Sequence, residues 1–334
     1  MEAGDHIGKI VLKALEAFPP GSAGGPSGLR PDHVRAAVRS PIGDAIIRSL
    51  TRVVNRIARG EAPRAMWPHL AGSNLFPGKK GDNDVRPLAA GEFLRRLTAR
   101  CVVRVTRDPL RRTLGDTHIG DALSCGVEIR SQLARSFIHR NAGDRRKALL
   151  LVDYENAHNT PERGPGLRVV RERCPSLSPF LETCYSVPSP MYCGSDTIWS
   201  TRGYHQGCAS AGPGWSVGFL PVQEAAQKDV AAAGHVLDYQ AWFKDDGQAG
   251  GSPSALRVWY AALHHHGAAR GYILKPPKSL VLTPLRCPPS IDLRQWATTR
   301  ADGTTQQPVL CCEGEGYAGA ADVSQSKRCT KEGC

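Results

Sequence analysis

No apolar run in the 334-residue chain approaches the roughly 20 residues that a helical membrane span requires, so none is expected. Met1–Gly8 is polar and acidic and has no hydrophobic h-region, so no secretory leader is expected either. The 11 cysteines include no CxxC pair. Without a secretion signal they are expected to be reduced thiols inside a cell, in nucleus or cytoplasm. The terminal group Cys311, Cys312, Cys329 and Cys334 has a spacing that fits no common zinc pattern. P-loop, HExxH and GxGxxG motifs are missing, as is any internal repeat.

What is present is a chain that should fold and that carries excess positive charge. Hydrophobic residues make up 41%, enough for a sizeable core over two or three regions. Gly (35) and Pro (25) are numerous, which implies many turns and loops. Formal net charge is +12, mostly from arginine, whose planar fork suits phosphate. Nucleic acid is therefore the expected partner, with no membrane and no protein partner.

Apolar spacing predicts a helix over 6–17, a Gly/Pro loop to Gly28, and a short helix over 31–39. Ser40 offers an N-cap and Pro41 an N1 residue to a further helix, which Gly60 can end. Residues 74–88 read as strand, charged turn and strand, followed by a basic helix over 91–112. Between 79 and 112, ten Lys and Arg face four Asp and Glu, a local excess suited to phosphate. Further helices are predicted over 122–139, 217–232 and 254–270, with helical and loop segments over 155–190. Ala148–Asp153 is the most apolar run and predicts a strand buried on both faces, central in a sheet. Residues 238–250 form a predicted hairpin with Lys244–Gly247 at its tip, and 271–283 is strand-like. After about 290 the chain turns polar and Gly-rich, as a poorly ordered tail would.

Three acids carry the chemistry. Asp153 ends the apolar strand, and Asp245 and Asp246 sit together in a tight turn after a short aromatic stretch. Acids ending separate strands can meet at one sheet edge, where they repel each other unless a cation lies between them. Two divalent ions held this way can drive in-line transfer at phosphorus.

The order of motifs resembles the reverse transcriptase domain of LINE-type (non-LTR) retroelements over about residues 22–283, roughly three quarters of the chain. Ser22–Val34 is similar to the segment that opens that domain. Lys79-Lys80, with Arg86-Pro87-Leu88 and Gly91–Arg100, resembles the fingers motif whose cations hold the incoming triphosphate. Leu151–Thr160 resembles the first metal-binding motif, with Asp153 as its acid and His158 where an aromatic screens the sugar 2′ position. Gly203-Tyr-His-Gln-Gly207 is similar to the motif that supports template and nucleotide through Gln206 and Gly207. After it the family has Asp-Pro-Leu-Gly-Pro, where this chain has Cys208-Ala-Ser-Ala-Gly-Pro213. Phe243-Lys-Asp-Asp246 matches the aromatic-x-Asp-Asp hallmark, 92 residues after Asp153 when counted to Asp245. Gly271–Lys278 resembles the next motif, with Lys278 at the family's lysine position.

The resemblance implies an α+β right-hand polymerase fold. Its parts would be an N-terminal helical region (1–65), fingers (66–146), a palm with an antiparallel sheet (147–290), and a tail (291–334), with the thumb absent or vestigial. It implies RNA-directed DNA synthesis from dNTPs on an RNA template and DNA primer. Two Mg²⁺ ions would be held by Asp153, Asp245 and Asp246, and phosphate would be met by Lys79, Lys80, Arg86 and Lys278. Two other readings remain: a degenerate remnant that only binds nucleic acid, and an RNA-templated RNA polymerase, against which the fingers motif argues. His264-His265-His266 are consecutive on a helix and point in different directions, which disfavours a metal site. Cys208 beside His205 lacks an evident orienting acid for a thiol nucleophile.

Overall fold

The structure, a computed structural model, describes residues 2–80, 84–121, 123–283, 291–299 and 302–312. Three helices come first, α1 (Glu2–Glu16), α2 (Pro31–Val38) and α3 (Gly43–Ala58), then α4 (Trp67–Ala71), β1 (Ser73–Lys80) and β2 (Asp84–Gly91). The chain continues through α5 (Phe93–Val105), α6 (Arg107–Leu114), α7 (Gly126–Arg140), β3 (Ala148–Val152), α8 (Arg163–Arg173) and α9 (Ser178–Tyr185). Next are β4 (Ser189–Cys193), β5 (Asp196–Ser200), α10 (Ala211–Ala232), β6 (Leu237–Phe243), β7 (Asp246–Gly251) and α11 (Pro253–Ala268). The last described elements are β8 (Leu280–Thr283), β9 (Thr298–Thr299), β10 (Thr305–Gln306) and β11 (Val309–Cys312). The protein is α+β. No described helix is long and apolar enough to cross a membrane.

Two compact units divide the chain: 1–113 with 161–218, and 114–160 with 219–334. In unit one, α1, α3 and α5 pack around Val11, Leu15, Phe18, Val54, Phe93 and Leu97. Helix α3 starts at Gly43 with Ile42 in the cap position and no side-chain cap, so the expected start at Ser40-Pro41 is early by two residues. Its end is as the sequence predicts. Gly60 takes φ +71°, Glu61 N–H reaches Arg56 O at 2.9 Å, and Gly60 N–H reaches Ile57 O at 3.1 Å, a Schellman closure. Strands β1 and β2 form the expected antiparallel pair. The expected basic helix over 91–112 is two helices, α5 and α6, separated at Thr106, whose hydroxyl bonds back to Val102 O. Strand β4 pairs in parallel with β1 (Ser73↔Met191) and antiparallel with β5, which brings 161–218 into unit one although it follows β3 in sequence.

Unit two is built on a five-stranded sheet of order β11-β8-β3-β7-β6. Strand β3 is central and all five of its residues are buried, as its unbroken apolar run predicts. Leu149 and Leu151 pack with Ala134 and Phe137 of α7 and with Leu280 and Leu282 of β8. Helix α11 packs against β3 and β7. Pairings among β8, β3, β7 and β6 are antiparallel, whereas β11 runs parallel to β8. The expected polar tail from 291 carries described structure: a 3-10 turn at Leu293–Trp296, the β9–β10 pair, and β11, whose residues Val309–Cys312 pair with Leu280–Thr283 as an edge strand. Residues 313–334 lie outside the described residues.

Candidate active site

The register of unit two explains why the acids meet. Val152 pairs with Gly247 and Phe243 pairs with Asp246, so Asp153 leaves β3 at the same sheet end where β6 turns into β7. The turn has two residues, Lys244 and Asp245, with Lys244 at φ +56° in the left-handed region. Gly247 is needed beside it, because a Cβ there would collide with the Trp242 ring and lie 2.7 Å from Val152 Cγ2. The tight turn and the glycine together place Asp245 and Asp246 beside the end of the central strand.

The electrostatics report that proximity. Burial pushes the Asp153 carboxyl above its ordinary value. Lys278 opposes the shift, and Asp245 adds to it by like-charge repulsion. Burial likewise raises Asp246, opposed by Arg130 and reinforced by both Asp245 and Asp153. Asp153 therefore feels Asp245, and Asp246 feels Asp153, across more than 90 residues of sequence.

Cations brace the two flanking acids. Arg130 of α7 donates to Asp246 Oδ2 at 2.9 Å. Lys278 Nζ lies 4.0 Å from Asp153 Oδ2. The backbone at Asp153 is fixed as well: its N–H meets Ser279 Oγ at 3.3 Å, and its carbonyl accepts from Lys275 N–H at 2.8 Å. Lys278 ends a 3-10 turn (Pro276–Lys278) that leads into β8, and this turn delivers it to the acid.

Hard carboxylate oxygens in a mutually repelling set suit a divalent cation. Asp153 and Asp245 are the natural holders, since Asp246 is engaged by Arg130. Among the described residues, no group of three or more His, Cys, Asp or Glu side chains already has the arrangement of a metal cage.

The other sequence-derived candidates divide between the units. His158 lies in unit two, in the turn that follows Asp153, where Asn159 N–H bonds to Asn156 O at 2.6 Å. Lys79, Lys80 and Arg86 lie on β1 and β2 of unit one, with Lys79 exposed and opposite Val85. The side chains of Lys80 and Arg86 fall outside the described residues. Gln206 and Gly207 form a turn in unit one ahead of α10, with Gly207 at φ +94°.

The sequence concealed two features. Arg130 stands 116 residues from its partner acid on an unremarkable helix, and no motif marks it. In unit one, Arg95 is 1% exposed. It donates to Ala71 O (2.8 Å), Tyr185 Oη (2.7 Å) and His205 Nδ1 (2.6 Å). An arginine only donates, so His205 accepts at Nδ1 and carries its proton on Nε2. Burial, with Arg95 and Arg163 adding, drives the imidazole well below its ordinary value, so it stays neutral. Arg163 donates to Gly203 O at 2.7 Å, which anchors the other side of the same loop. His205 therefore serves the Gln206-Gly207 loop through Arg95 and does not serve Cys208 as a base. Of the three histidines in α11, His266 pairs with Asp229 at 2.9 Å, and no metal group forms there among the described residues.

Fold and site define an α+β protein with an acid cluster at the end of a largely antiparallel sheet. Compared with known proteins, the chain matches no protein-family model and no curated sequence.

Proposed function

We propose that the chain is an RNA-directed DNA polymerase of the reverse transcriptase kind, with a right-hand polymerase fold in which unit two is the palm and unit one the fingers. The observation that carries this reading is the convergence of Asp153, Asp245 and Asp246 at one end of the β3-β7-β6 sheet. A central strand ending in an acid beside a hairpin that carries two more is what the ordered motifs require.

In the proposed reaction a primer 3′-oxygen attacks the α-phosphorus of a dNTP, and the bond to pyrophosphate breaks. Two Mg²⁺ ions held by Asp153 and Asp245 would supply Lewis acidity and charge neutralisation at phosphorus. Asp246, fixed by Arg130, supports the hairpin and adds negative charge. Lys278, already facing Asp153, supplies positive charge for the departing pyrophosphate. Lys79, Lys80 and Arg86 are assigned to the triphosphate, Gln206 and Gly207 to template and nucleotide support, and His158 to the sugar 2′ position. The partners are an RNA template, a DNA primer and dNTPs.

Primer extension on an RNA template with Mg²⁺ tests this. Extension by the wild type and its loss in Asp245→Ala support the proposal; no extension, or equal extension by the variant, removes it. A second reading, a remnant that binds nucleic acid without chemistry, is favoured by the cations bracing Asp153 and Asp246. It predicts salt-dependent RNA binding that is indifferent to Mg²⁺.

A further inference from the structure

The positive charge is unevenly distributed. Unit one holds 25 Lys and Arg against 14 Asp and Glu, an excess of eleven out of the chain's twelve. Unit two, with 18 against 17, is nearly neutral. Within unit one, α3 concentrates this charge on one face. Arg48, Arg52 and Arg56 follow one another at four-residue steps, and Arg59 caps the same side. At 1.5 Å rise per residue, successive guanidinium groups are rooted about 6 Å apart along the axis.

All four arginines are exposed, whereas Thr51, Val54 and Ile57 on the opposite face are buried. The helix is held to the core by that apolar face and by its Schellman end, so the arginine row is a fixed surface. Among the described residues, the ion pair on this row is Arg59 with Glu61, at 3.9 Å between exposed side chains. Arg48, Arg52 and Arg56 neutralise no described carboxylate; Arg52 donates to Ser49 Oγ at 3.2 Å. A row of like charges this close is self-repulsive, and the repulsion is relieved when polyanion phosphates displace counterions.

We propose that the outer face of α3 is a docking surface for the phosphodiester backbone of a nucleic acid strand, read by charge and not by base. It belongs to unit one, whereas the acid cluster belongs to unit two, and it does not rest on polymerase activity. Nucleic acid is favoured over an anionic bilayer because Val53 is the one large apolar side chain that α3 exposes, too little for a hydrophobic stripe to insert, while the arginine row supplies four exposed cations.

The test uses the full chain without Mg²⁺ or nucleotide, with a labelled mixed-sequence single-stranded RNA as probe. Anisotropy is followed from about 50 to about 200 mM salt. The variant carries Arg48→Gln, Arg52→Gln and Arg56→Gln. A charge-matched control carries Arg135→Gln, Arg140→Gln and Arg145→Gln, all exposed in unit two. Three lost phosphate contacts should weaken binding about tenfold or more and lower the salt slope by about two, with the control within about twofold of wild type. Equal weakening in both variants would assign the effect to net charge and overturn the proposal. So would unchanged binding in the α3 variant, or binding only to phosphatidylserine vesicles. Circular dichroism of each variant confirms that the fold is intact.

Discussion

Arg130 and Asp246 form an ion pair at 2.9 Å, joining helix α7 to the first residue of β7. It couples the sheet to the helix that covers it and occupies one of three clustered carboxylates. Both side chains are partly exposed, so the pair contributes about 1 kcal/mol or less to stability. Its larger effect is on charge at the cluster. Arg130→Gln removes a competitor for Asp246. Divalent ion binding, followed by terbium luminescence, should tighten roughly fivefold, the equivalent of about 1 kcal/mol, with little change in melting temperature.

The raised carboxyls of Asp153 and Asp246 give a pH dependence of definite sign. Their folded-state values lie above the unfolded value of 3.8. The stability they contribute is full below that value and is lost as pH rises through the folded values. Above that window the repulsion is fully developed, and a divalent ion relieves it. Melting temperature with and without Mn²⁺ should therefore coincide near about pH 4 and separate by about pH 7. A Mn²⁺ effect that is constant across this range would contradict the assignment.

Gly247→Ala tests the packing that sets the hairpin. A Cβ there meets Trp242 and Val152 at the sheet end. Overpacking of this kind costs about 1–3 kcal/mol, readable in a denaturation curve. Metal binding should weaken with it, because Asp245 and Asp246 are displaced.

Arg95→Ala leaves Tyr185, His205 and Ala71 O without their buried donor. The expected cost is about 2–4 kcal/mol. Proteolysis should then cut first in the loop at 203–210, which this arginine anchors. Cleavage there at the wild-type rate would show that the loop is held by something else.

Much of unit two was legible in the sequence because its signals are local. A short unbroken apolar run suits a strand covered on both faces, and Asp-Asp-Gly after an aromatic stretch suits a tight turn, so Asp153 and the Asp245-Asp246 pair follow from adjacent residues. The β1–β2 hairpin was readable for the same reason. What stayed hidden depends on long-range pairing. Strands β4 and β5 have no apolar alternation to mark them; they form a hairpin through a two-residue turn with Gly194 at φ +62°, and only the fold shows that β4 joins β1 at Ser73 and Asn74. Strand β11 is a four-residue edge strand that pairs with β8 alone, inside a segment whose composition reads as tail. Arg130 and Arg95 look like ordinary helix cations, and only the fold shows which acid or carbonyl each one serves. The start of α3 was misplaced because Ser40-Pro41 has the composition of a cap, while the chain makes one more turn there (Gly43 N–H to Ser40 O, 2.9 Å) before the helix begins.

The most direct measurement is manganese binding by electron paramagnetic resonance at neutral pH, comparing wild type with the Asp153→Asn, Asp245→Asn double variant. Saturable binding by wild type that disappears in a folded double variant is expected if the acid cluster holds the ion. Equal binding by both proteins, or none by wild type even with a dNTP present, would contradict it.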